Sequence, residues 1–253
     1  MYLHEPTYDI NELLRTNYHI HTNLSRCGKR EMTLESIIKA AEEDGLKVIA
    51  VTDHIHPGEA WKLKRNIPLL KKQLAKTEHT VKVYIGAELS AYGEEKYTLK
   101  KSDAELDYRL YAHNHYHMFG WEQPEDKSPA GYKEHCRKVL TAVITSGKAD
   151  CMAHPFNDHY IVREFGEKYG FGAGDITSLW TDNELGDMLE LGKKYNVAWE
   201  INVKSCLQQP EFINRYWNIG REIGVCFNFG TDAHVLADIK TSERADFIKS
   251  VLK

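Results

Sequence analysis

The sequence lacks a long apolar run and a segment typical of secretion signals. No stretch of the 253 residues approaches the roughly 18 apolar residues that a membrane-spanning helix needs. The first residues, Met-Tyr-Leu-His-Glu-Pro, do not have the basic and then apolar order of a signal peptide. We therefore expect a cytoplasmic protein that has no membrane partner.

Cysteine is scarce, and its spacing is not that of a structural framework. Five cysteines are scattered along the chain, and none belongs to a Cys-x-x-Cys pair. An odd, dispersed set argues against a disulfide framework and against a zinc ribbon. This cysteine usage suits a reducing compartment.

The chain also has no block of basic residues. Lys and Arg number 33 against 37 acidic residues, which gives a formal net charge of −4. Proteins that bind long nucleic acids usually carry a basic stripe or patch, so we expect no such partner. An anionic substrate would have to be bound locally, by metal ions or by a few basic side chains.

The hydrophobic pattern predicts one α/β domain that spans residues 1–253. Short apolar runs typical of buried strands alternate, in most cases, with amphipathic helical patterns, which is typical of a parallel sheet closed or nearly closed into a barrel. The sequence thus predicts a TIM-like (β/α)7 barrel. The seven predicted strands are residues 18–22, 48–52, 81–87, 106–112, 149–153, 197–202 and 225–229.

Potential metal ligands follow most of these strands. His19 and His21 lie two residues apart, so their side chains leave one face of the first strand. Such a pair is often only solvated, but later strands end in further His, Glu and Asp residues. Because the carboxyl ends of barrel strands meet at one mouth, these side chains are expected to converge on a metal site. They are His54, Glu88, one or more of His113, His115 and His117, then His154, Asp232 and His234.

The order of these motifs resembles that of the polymerase and histidinol phosphatase family, the PHP phosphoesterases, over about residues 17–236. The resemblance implies a distorted seven-stranded barrel, two or three divalent metal ions at its mouth, and hydrolysis of phosphoesters. The motifs that carry it are His19-x-His21, Thr52-Asp53-His54, Gly86-Ala-Glu88, the His115 region, Ala153-His154-Pro155 and Gly230-Thr-Asp232-Ala-His234.

Two positions depart from the family pattern of ligands. After the fourth strand we favour His115, while His113 lies two positions away on the same face. In the loop after the first strand, Cys27 stands where members with three metal ions usually have His or Asp. Either Cys27 holds a third ion or that ion is weak or absent. The residues that match the family ligands directly are His19, His21, His54, Glu88, His154, Asp232 and His234.

The donor types indicate the metal and the chemistry. Glu88 and Asp232 each have two oxygens that can neutralise two cations, and neutral imidazoles complete the coordination, which favours Zn, Mn or Fe. Neighbouring ions would share a hydroxide that attacks the phosphoryl group. We assign catalytic roles to Asp232, His234 and Asp53. Asp53 is expected either to orient His54 or a neighbouring ligand, or to cap a loop.

Recognition of the substrate is expected to use loops at the same mouth. Residues 156–180 carry several glycines and aromatic residues and are predicted to form an inserted loop or lid. The basic residues predicted to bind substrate are Arg26, Lys29, Arg163 and Lys204.

The predicted function is hydrolysis of a small phosphorylated metabolite, either a phosphomonoester or a cyclic or nucleotide phosphate. One alternative is a histidinol-phosphate phosphatase of histidine biosynthesis. That subgroup usually has a second His in its Cys-containing first loop, where this chain has Gly28 and Lys29. An alternative of another class is a non-catalytic metal-binding regulatory module. The sequence makes no prediction about oligomeric state.

Overall fold

A computed structural model describes residues 2–98 and 105–253, and in it one parallel sheet forms the centre of the protein. The strands follow the order β1-β2-β3-β5-β6-β7-β8, while β4 pairs antiparallel with β3. The strands are β1 Thr16–Ile20, β2 Val48–Ile55, β3 Lys82–Gly93, β4 Lys96–Tyr97, β5 Tyr108–Ala112, β6 Cys151–Met152, β7 Ala198–Asn202 and β8 Phe227–Gly230.

The two ends of this sheet meet, so that the sheet nearly closes. The backbone N–H of His21 donates to the carbonyl of Ala233 at 2.9 Å, and the Ala233 N–H donates to the carbonyl of His19 at 3.3 Å. These two bonds join the end of β1 to the segment just after β8. The predicted TIM-like barrel is thereby confirmed.

Helices connect the strands, and their first residues show why they begin where they do. Thr33 accepts from the N–H of Ser36, and Thr181 forms a reciprocal capping box with Glu184. Pro210 occupies the first turn of its helix, where no N–H is needed. The α-helices are α1 Ile10–Leu13, α2 Leu34–Glu43, α3 Trp61–Leu74, α4 Pro129–Thr145, α5 His159–Ile161, α6 Glu167–Tyr169, α7 Asp182–Lys194, α8 Val203–Gln208, α9 Pro210–Ile223 and α10 Ala245–Val251.

The remaining helical turns are shorter. A π-helix spans Val162–Gly166, and 3-10 turns span Thr177–Leu179, Leu236–Ile239 and Ser242–Arg244. Among the residues that the structure describes, no helix has the length and apolar character needed to cross a bilayer.

Two apolar clusters form the core. The larger one packs strand residues such as Ile49 and Val51 against the surrounding helices. The smaller one fills the barrel interior, where the rings of Tyr18 on β1 and Tyr108 on β5 lie 5.8 Å apart although these strands are not neighbours. Asn228 on β8 also donates to the Tyr108 hydroxyl at 3.0 Å. The interior is therefore packed and positions the strand ends above it.

The observed elements differ from the expected ones in several places. Strand β1 ends at Ile20. His21 therefore lies just after the strand, where its backbone N–H donates to the carbonyl of Ala233. Strand β3 does not end at Glu88 but continues to Gly93, because β4 gives its far end an antiparallel partner. Strand β6 has only two residues. Residues 156–180 fold largely as short helical segments.

Candidate metal centre

The nine residues predicted as metal ligands lie together at the carboxyl ends of the strands. Six of them are buried and will be called the inner cluster: His19, His21, Glu88, His115, His154 and Asp232. The other three lie nearer the surface and will be called the outer cluster: Cys27, His54 and His234.

Glu88 stands at the centre of the inner cluster, with its two oxygens facing different sets of histidines. Oε2 lies 3.4 Å from His19 Nε2 and 3.5 Å from His21 Nε2. It also lies 2.6 Å from Nδ1 of His54 in the outer cluster. Oε1 lies 3.5 Å from His115 Nε2 and 3.4 Å from His154 Nε2. Within the described residues, neither oxygen has a donor in hydrogen-bond geometry, although the side chain is 1% exposed. A buried carboxylate of this kind fits a bridge between two cations.

Asp232 lies beside His19 and His21, which also face Glu88 Oε2. Its Oδ1 lies 3.0 Å from His21 Nε2 and 3.6 Å from His19 Nε2. Its Oδ2 accepts from Lys204 Nζ at 2.7 Å. One oxygen thus faces the histidines while the other is held by an ammonium group, which fixes the orientation of the carboxylate.

Backbone conformation is unusual at two of the predicted ligands. His154 and Asp232 have φ values of +30° and +52°, in the left-handed region that side chains other than glycine rarely adopt. Such residues typically cost about 1–3 kcal/mol each and persist where surrounding contacts hold them, often at functional sites. The strain therefore supports a functional role for these two positions.

Glu200 on β7 is a site residue that the sequence prediction missed. Its Oε1 accepts from His19 Nδ1 at 2.8 Å, and its Oε2 accepts from the backbone N–H of His154. The first bond fixes the His19 tautomer and leaves Nε2 free to bind a cation. Gly230 makes room for this pair, since a Cβ there would lie 2.1 Å from Glu200 Oε1. The available signal was an acidic residue within the apolar strand Val197-Ala-Trp-Glu-Ile.

The charges of the inner cluster are coupled. Burial opposes ionisation of Glu88 and Asp232, but the surrounding imidazoles hold the pKa of both carboxyl groups well below the usual range. Burial is likewise outweighed at His19, where Glu200 and the other carboxylates raise the pKa well above its ordinary value. At His21, burial lowers the pKa and favours the neutral ring. Metal binding would displace the proton from His19.

The outer cluster itself consists of two imidazoles and a thiol, and the Glu88 carboxylate of the inner cluster contacts it at His54. Donor atoms of His21, Cys27, His54 and His234 all lie within 4.8 Å of one another. The His21 ring stacks on those of His54 and His234, with centroid distances of 4.3 and 4.4 Å. His234 Nδ1 donates to the carbonyl of Asp232 at 2.8 Å, which leaves Nε2 as the free ring nitrogen.

The Cys27 sulfur lies in surroundings that favour the thiolate. Burial raises its pKa, but contacts with His234, His54 and Ser25 outweigh burial and lower the pKa to about 6. The Ser25 hydroxyl lies 3.3 Å from the sulfur. At neutral pH the group is therefore largely in the form that binds metals.

Asp53 contacts the loop after β1. Its carboxylate accepts from the backbone N–H and from the hydroxyl of Thr22, both at 2.7 Å. Of the two roles predicted for it, these contacts correspond to the loop cap. Asp53 therefore supports the chain that leaves His21.

His115 and His113 occupy different environments. His115 faces Glu88 and His154 in the inner cluster, whereas the carbonyl of His113 accepts from Trp121 Nε1 at 2.8 Å. Among the described residues, His113 belongs to none of the groups with metal-ligand spacing. The structure therefore brings His115 into the centre.

His56 is a further imidazole at the mouth. Its ring stacks on His54 at 4.9 Å, and its Nδ1 lies 3.2 Å from the Ser90 hydroxyl. Burial and the neighbouring His54 lower its pKa to about 4. The sequence signal was its position two residues after His54, which resembles the spacing of His19 and His21.

The four basic residues predicted to bind substrate are placed differently. Lys204 reaches the inner cluster through Asp232, and its backbone N–H donates to Asn202 Oδ1 at 2.9 Å. Arg26 lines a cavity of about 340 Å³ together with Cys27 and the neighbouring His54. Lys204 therefore lies at the inner cluster, and Arg26 lies at the outer cluster.

Arg163 and Lys29 lie further from the inner cluster. The Arg163 guanidinium pairs with Glu164 at 3.0 Å and lies 4.9 Å from the centre of the Tyr160 ring. That ring in turn contacts His115 edge to face, with a centroid distance of 5.6 Å. Lys29 is exposed and contributes a backbone N–H, which donates to the carbonyl of His234 at 3.1 Å.

Comparison with known proteins decides the family. The profile of the PHP domain matches residues 17–203, which is most of the chain. The chain belongs to the PHP domain family. PHP domains depend on metal ions, and the inner and outer clusters are the groups of residues that could bind them here.

Relatives of this PHP domain protein carry phosphatase names. A probable phosphatase of Aliivibrio fischeri strain MJ11 is 27% identical over 228 residues, covering 87% of this chain and 78% of the relative. A probable phosphatase of Vibrio parahaemolyticus is 27% identical over 237 residues, covering 89% and 81%. A crystal structure of a proposed histidinol phosphatase from Listeria monocytogenes shares the fold with a TM-score of 0.58 and 14% identity, covering 88% of this chain and 97% of that one.

Proposed function

We propose that this protein is a metal-dependent phosphoesterase that hydrolyses a small phosphorylated metabolite. The observation that carries the proposal is the geometry of Glu88, whose two buried oxygens face two separate sets of histidines. A donor arrangement of this kind suits two adjacent divalent ions, which is a recurring design for phosphoryl transfer.

The residues present fit such ions in number and in type. His19, His21, Asp232 and one Glu88 oxygen would hold the first ion, and His115, His154 and the other Glu88 oxygen the second. The outer cluster, with Cys27, His54 and His234, would hold a third. When bound, zinc, manganese or iron ions would polarise a phosphoryl oxygen and lower the pKa of water towards neutrality.

The protein's own groups then have separable tasks in the reaction. Asp232 and His234 are assigned to the reaction centre, and Asp53 holds the loop behind them through Thr22. Glu200 keeps the Nδ1 proton of His19 in place, so that Nε2 stays available. Lys204, bound to Asp232, would stabilise negative charge that develops on the phosphoryl oxygens.

The size and charge of the mouth favour a small substrate. The cavity beside the outer cluster measures about 340 Å³, at the lower end of the range for small-molecule pockets. Arg26 lines it, while Arg163 stands over Tyr160 on the segment 156–180. We assign that segment as a lid on a single barrel domain of residues 1–253, with the leaving group beneath it.

A substrate panel tests the proposal. Protein treated with chelator and then reloaded with Mn or Zn would be assayed with phosphomonoesters, nucleotides, cyclic phosphates and histidinol phosphate. We expect phosphate release from at least one small ester after reloading and none with chelator. A fully metallated protein that cleaves no member of the panel would favour a non-catalytic metal-binding module instead.

A further inference from the structure

We propose that the outer cluster is a thiolate-containing site that selects a soft metal ion such as zinc. The protein would then hold two chemically different kinds of metal site within one barrel mouth. This inference rests on the proposed metal centre and deepens it, because it assigns the chemical class of one ion from the donors around Cys27.

The donor sets of the two clusters support different ions. The inner cluster offers carboxylate oxygens from Glu88 and Asp232, which suit manganese and iron as well as zinc. The outer cluster itself offers the Cys27 thiol and the imidazoles of His54 and His234, with donor atoms within 4.8 Å of one another. The Glu88 carboxylate contacts this cluster at His54 Nδ1, which leaves the thiol as its distinguishing donor. Sets of Cys and His are typical of four-coordinate zinc, and a soft thiolate favours zinc over manganese.

Buried nitrogen atoms at the outer cluster point to the same conclusion. His54 Nδ1 lies 2.6 Å from Glu88 Oε2, which favours the ring proton on Nδ1 and leaves the Nε2 lone pair for a cation. His234 Nδ1 donates to a carbonyl, so its Nε2 lone pair is free. Free lone pairs on neighbouring imidazoles are the arrangement that a cation would satisfy.

The loop that carries Cys27 is fixed on both sides. At its start, Asp53 binds the N–H and the hydroxyl of Thr22, and at its end the N–H of Lys29 donates to the carbonyl of His234. Gly28 passes so close to Thr22 that a Cβ there would lie 2.1 Å from the Thr22 carbonyl oxygen. The sulfur is therefore held beside the imidazoles by the fold itself, as a preorganised ligand should be.

Cobalt titration of the metal-depleted full chain tests this assignment. Cobalt bound by a thiolate gives charge-transfer absorption in the near ultraviolet, whereas imidazole and carboxylate ligands do not. In the wild type we expect this band at an intensity that corresponds to one thiolate-bound cobalt ion per chain, while the inner sites bind cobalt without adding to it. Cys27→Ser should lose the band and weaken binding of that ion at least ~10-fold. Cys136→Ala, which removes a buried thiol on α4, should keep it.

Two further measurements cover the case in which Cys27→Ser does not fold. Cys27→His should bind the third ion without the band, and in the wild type, zinc should protect Cys27 from alkylation at least ~10-fold. A wild-type protein that binds cobalt without the band, or a band that persists in a folded Cys27 variant, would overturn the assignment. An inactive protein with the band contradicts only the proposed function, and an active one without it contradicts only this inference.

Discussion

The inner and outer clusters share one barrel mouth but differ in depth, in donor type and in how they are supported. Glu88 in the inner cluster is 1% exposed, whereas the His54 and His234 side chains of the outer cluster are 18% and 24% exposed. The inner cluster combines carboxylates with imidazoles, and the outer one combines a thiol with imidazoles.

This difference reflects the elements that carry the central residue of each cluster. Glu88 lies on β3, where the neighbouring strands β2 and β5 fix the backbone. Cys27 lies on the loop between β1 and α2, which is held by the packing of Met32 and by hydrogen bonds such as that from Lys29 to His234. Because sites on regular elements are more rigid than sites on loops, we expect the inner cluster to set the reaction and the outer cluster to adjust it.

The largest effect is expected from Glu88→Gln, which breaks the inner cluster at its centre. An amide cannot bridge two cations as a carboxylate does, so both inner ions should bind weakly. Loss of several kcal/mol of stabilisation corresponds to a fall of ~1,000-fold in kcat/KM. Metal analysis and phosphate release check this. The exposed Glu190→Gln on α7 is the matched control, and a Glu88→Gln variant with normal metal content and activity would contradict the bridge.

Glu200→Gln should have the next largest effect, through positioning alone. The neutral amide would weaken the hold on His19 Nδ1 and on the N–H of His154. Loss of such a partner typically costs roughly 10–100-fold in metal affinity or activity. Metal affinity measured by competition with a chelating dye checks this, and a Glu200→Asp variant should recover part of it. Lower activity at unchanged metal affinity would show that Glu200 does not act by positioning the metal ligands His19 and His154.

Lys204→Gln and Arg26→Gln compare the two sides of the mouth directly. Lys204 is bonded to Asp232 in the inner cluster, whereas Arg26 lines only the outer cavity. A hydrogen bond to a charged group contributes about 1.5–3 kcal/mol, so Lys204→Gln should lower kcat/KM at least ~10-fold. Arg26→Gln should act mainly on KM and by less. Steady-state kinetics measure the fall in kcat/KM for each variant. A larger fall for Arg26→Gln than for Lys204→Gln would contradict the view that the inner cluster sets the reaction.

The smallest effect is expected for the pH dependence of stability. It arises because the charge on His54 in the outer cluster depends on Glu88 in the inner cluster. In the metal-free protein, burial opposes the charge on His54, but Glu88 and Cys27 raise its pKa to about 10, above the ordinary 6.5. Protonated His54 therefore stabilises the fold fully below pH 6.5, and this contribution is lost as the pH rises towards 10.

Thermal unfolding of the metal-free protein between about pH 6.5 and pH 9 measures that loss. We expect Tm to fall with rising pH, and His54→Ala to reduce the fall by at least ~2 °C. The exposed His79→Ala serves as control. If Tm falls equally with rising pH in the wild type and in His54→Ala, His54 does not couple the two clusters.

The sequence predicts the barrel and its mouth because strand ends of a parallel sheet must converge. For that reason His19, His54, Glu88 and Asp232 could be placed together from their positions after apolar runs. The confirmed barrel follows from the same alternation of strands and helices. The resemblance to the PHP family favoured His115 and left His113 as the alternative, and the structure places His115 beside Glu88.

The rest depends on contacts that spacing does not encode. Glu200 reaches His19 across 181 positions of sequence, and only the closed barrel shows that they meet. The extension of β3 beyond Glu88 depends on pairing with β4. The short helices between residues 156 and 180 depend on contacts such as that of Phe165 with Tyr132 on α4. The place of Cys27 beside His234 likewise follows from the bond between Lys29 and His234.

The central claim is that ions bridged by Glu88 carry out phosphoester hydrolysis, and a metal titration tests it most directly. Phosphate release by the metal-depleted protein would be followed while manganese is added in known equivalents. We expect negligible turnover below one equivalent and a steep rise as the second ion binds. Turnover that persists in chelator, or a protein that fills both inner sites and releases no phosphate from any small ester, would contradict it.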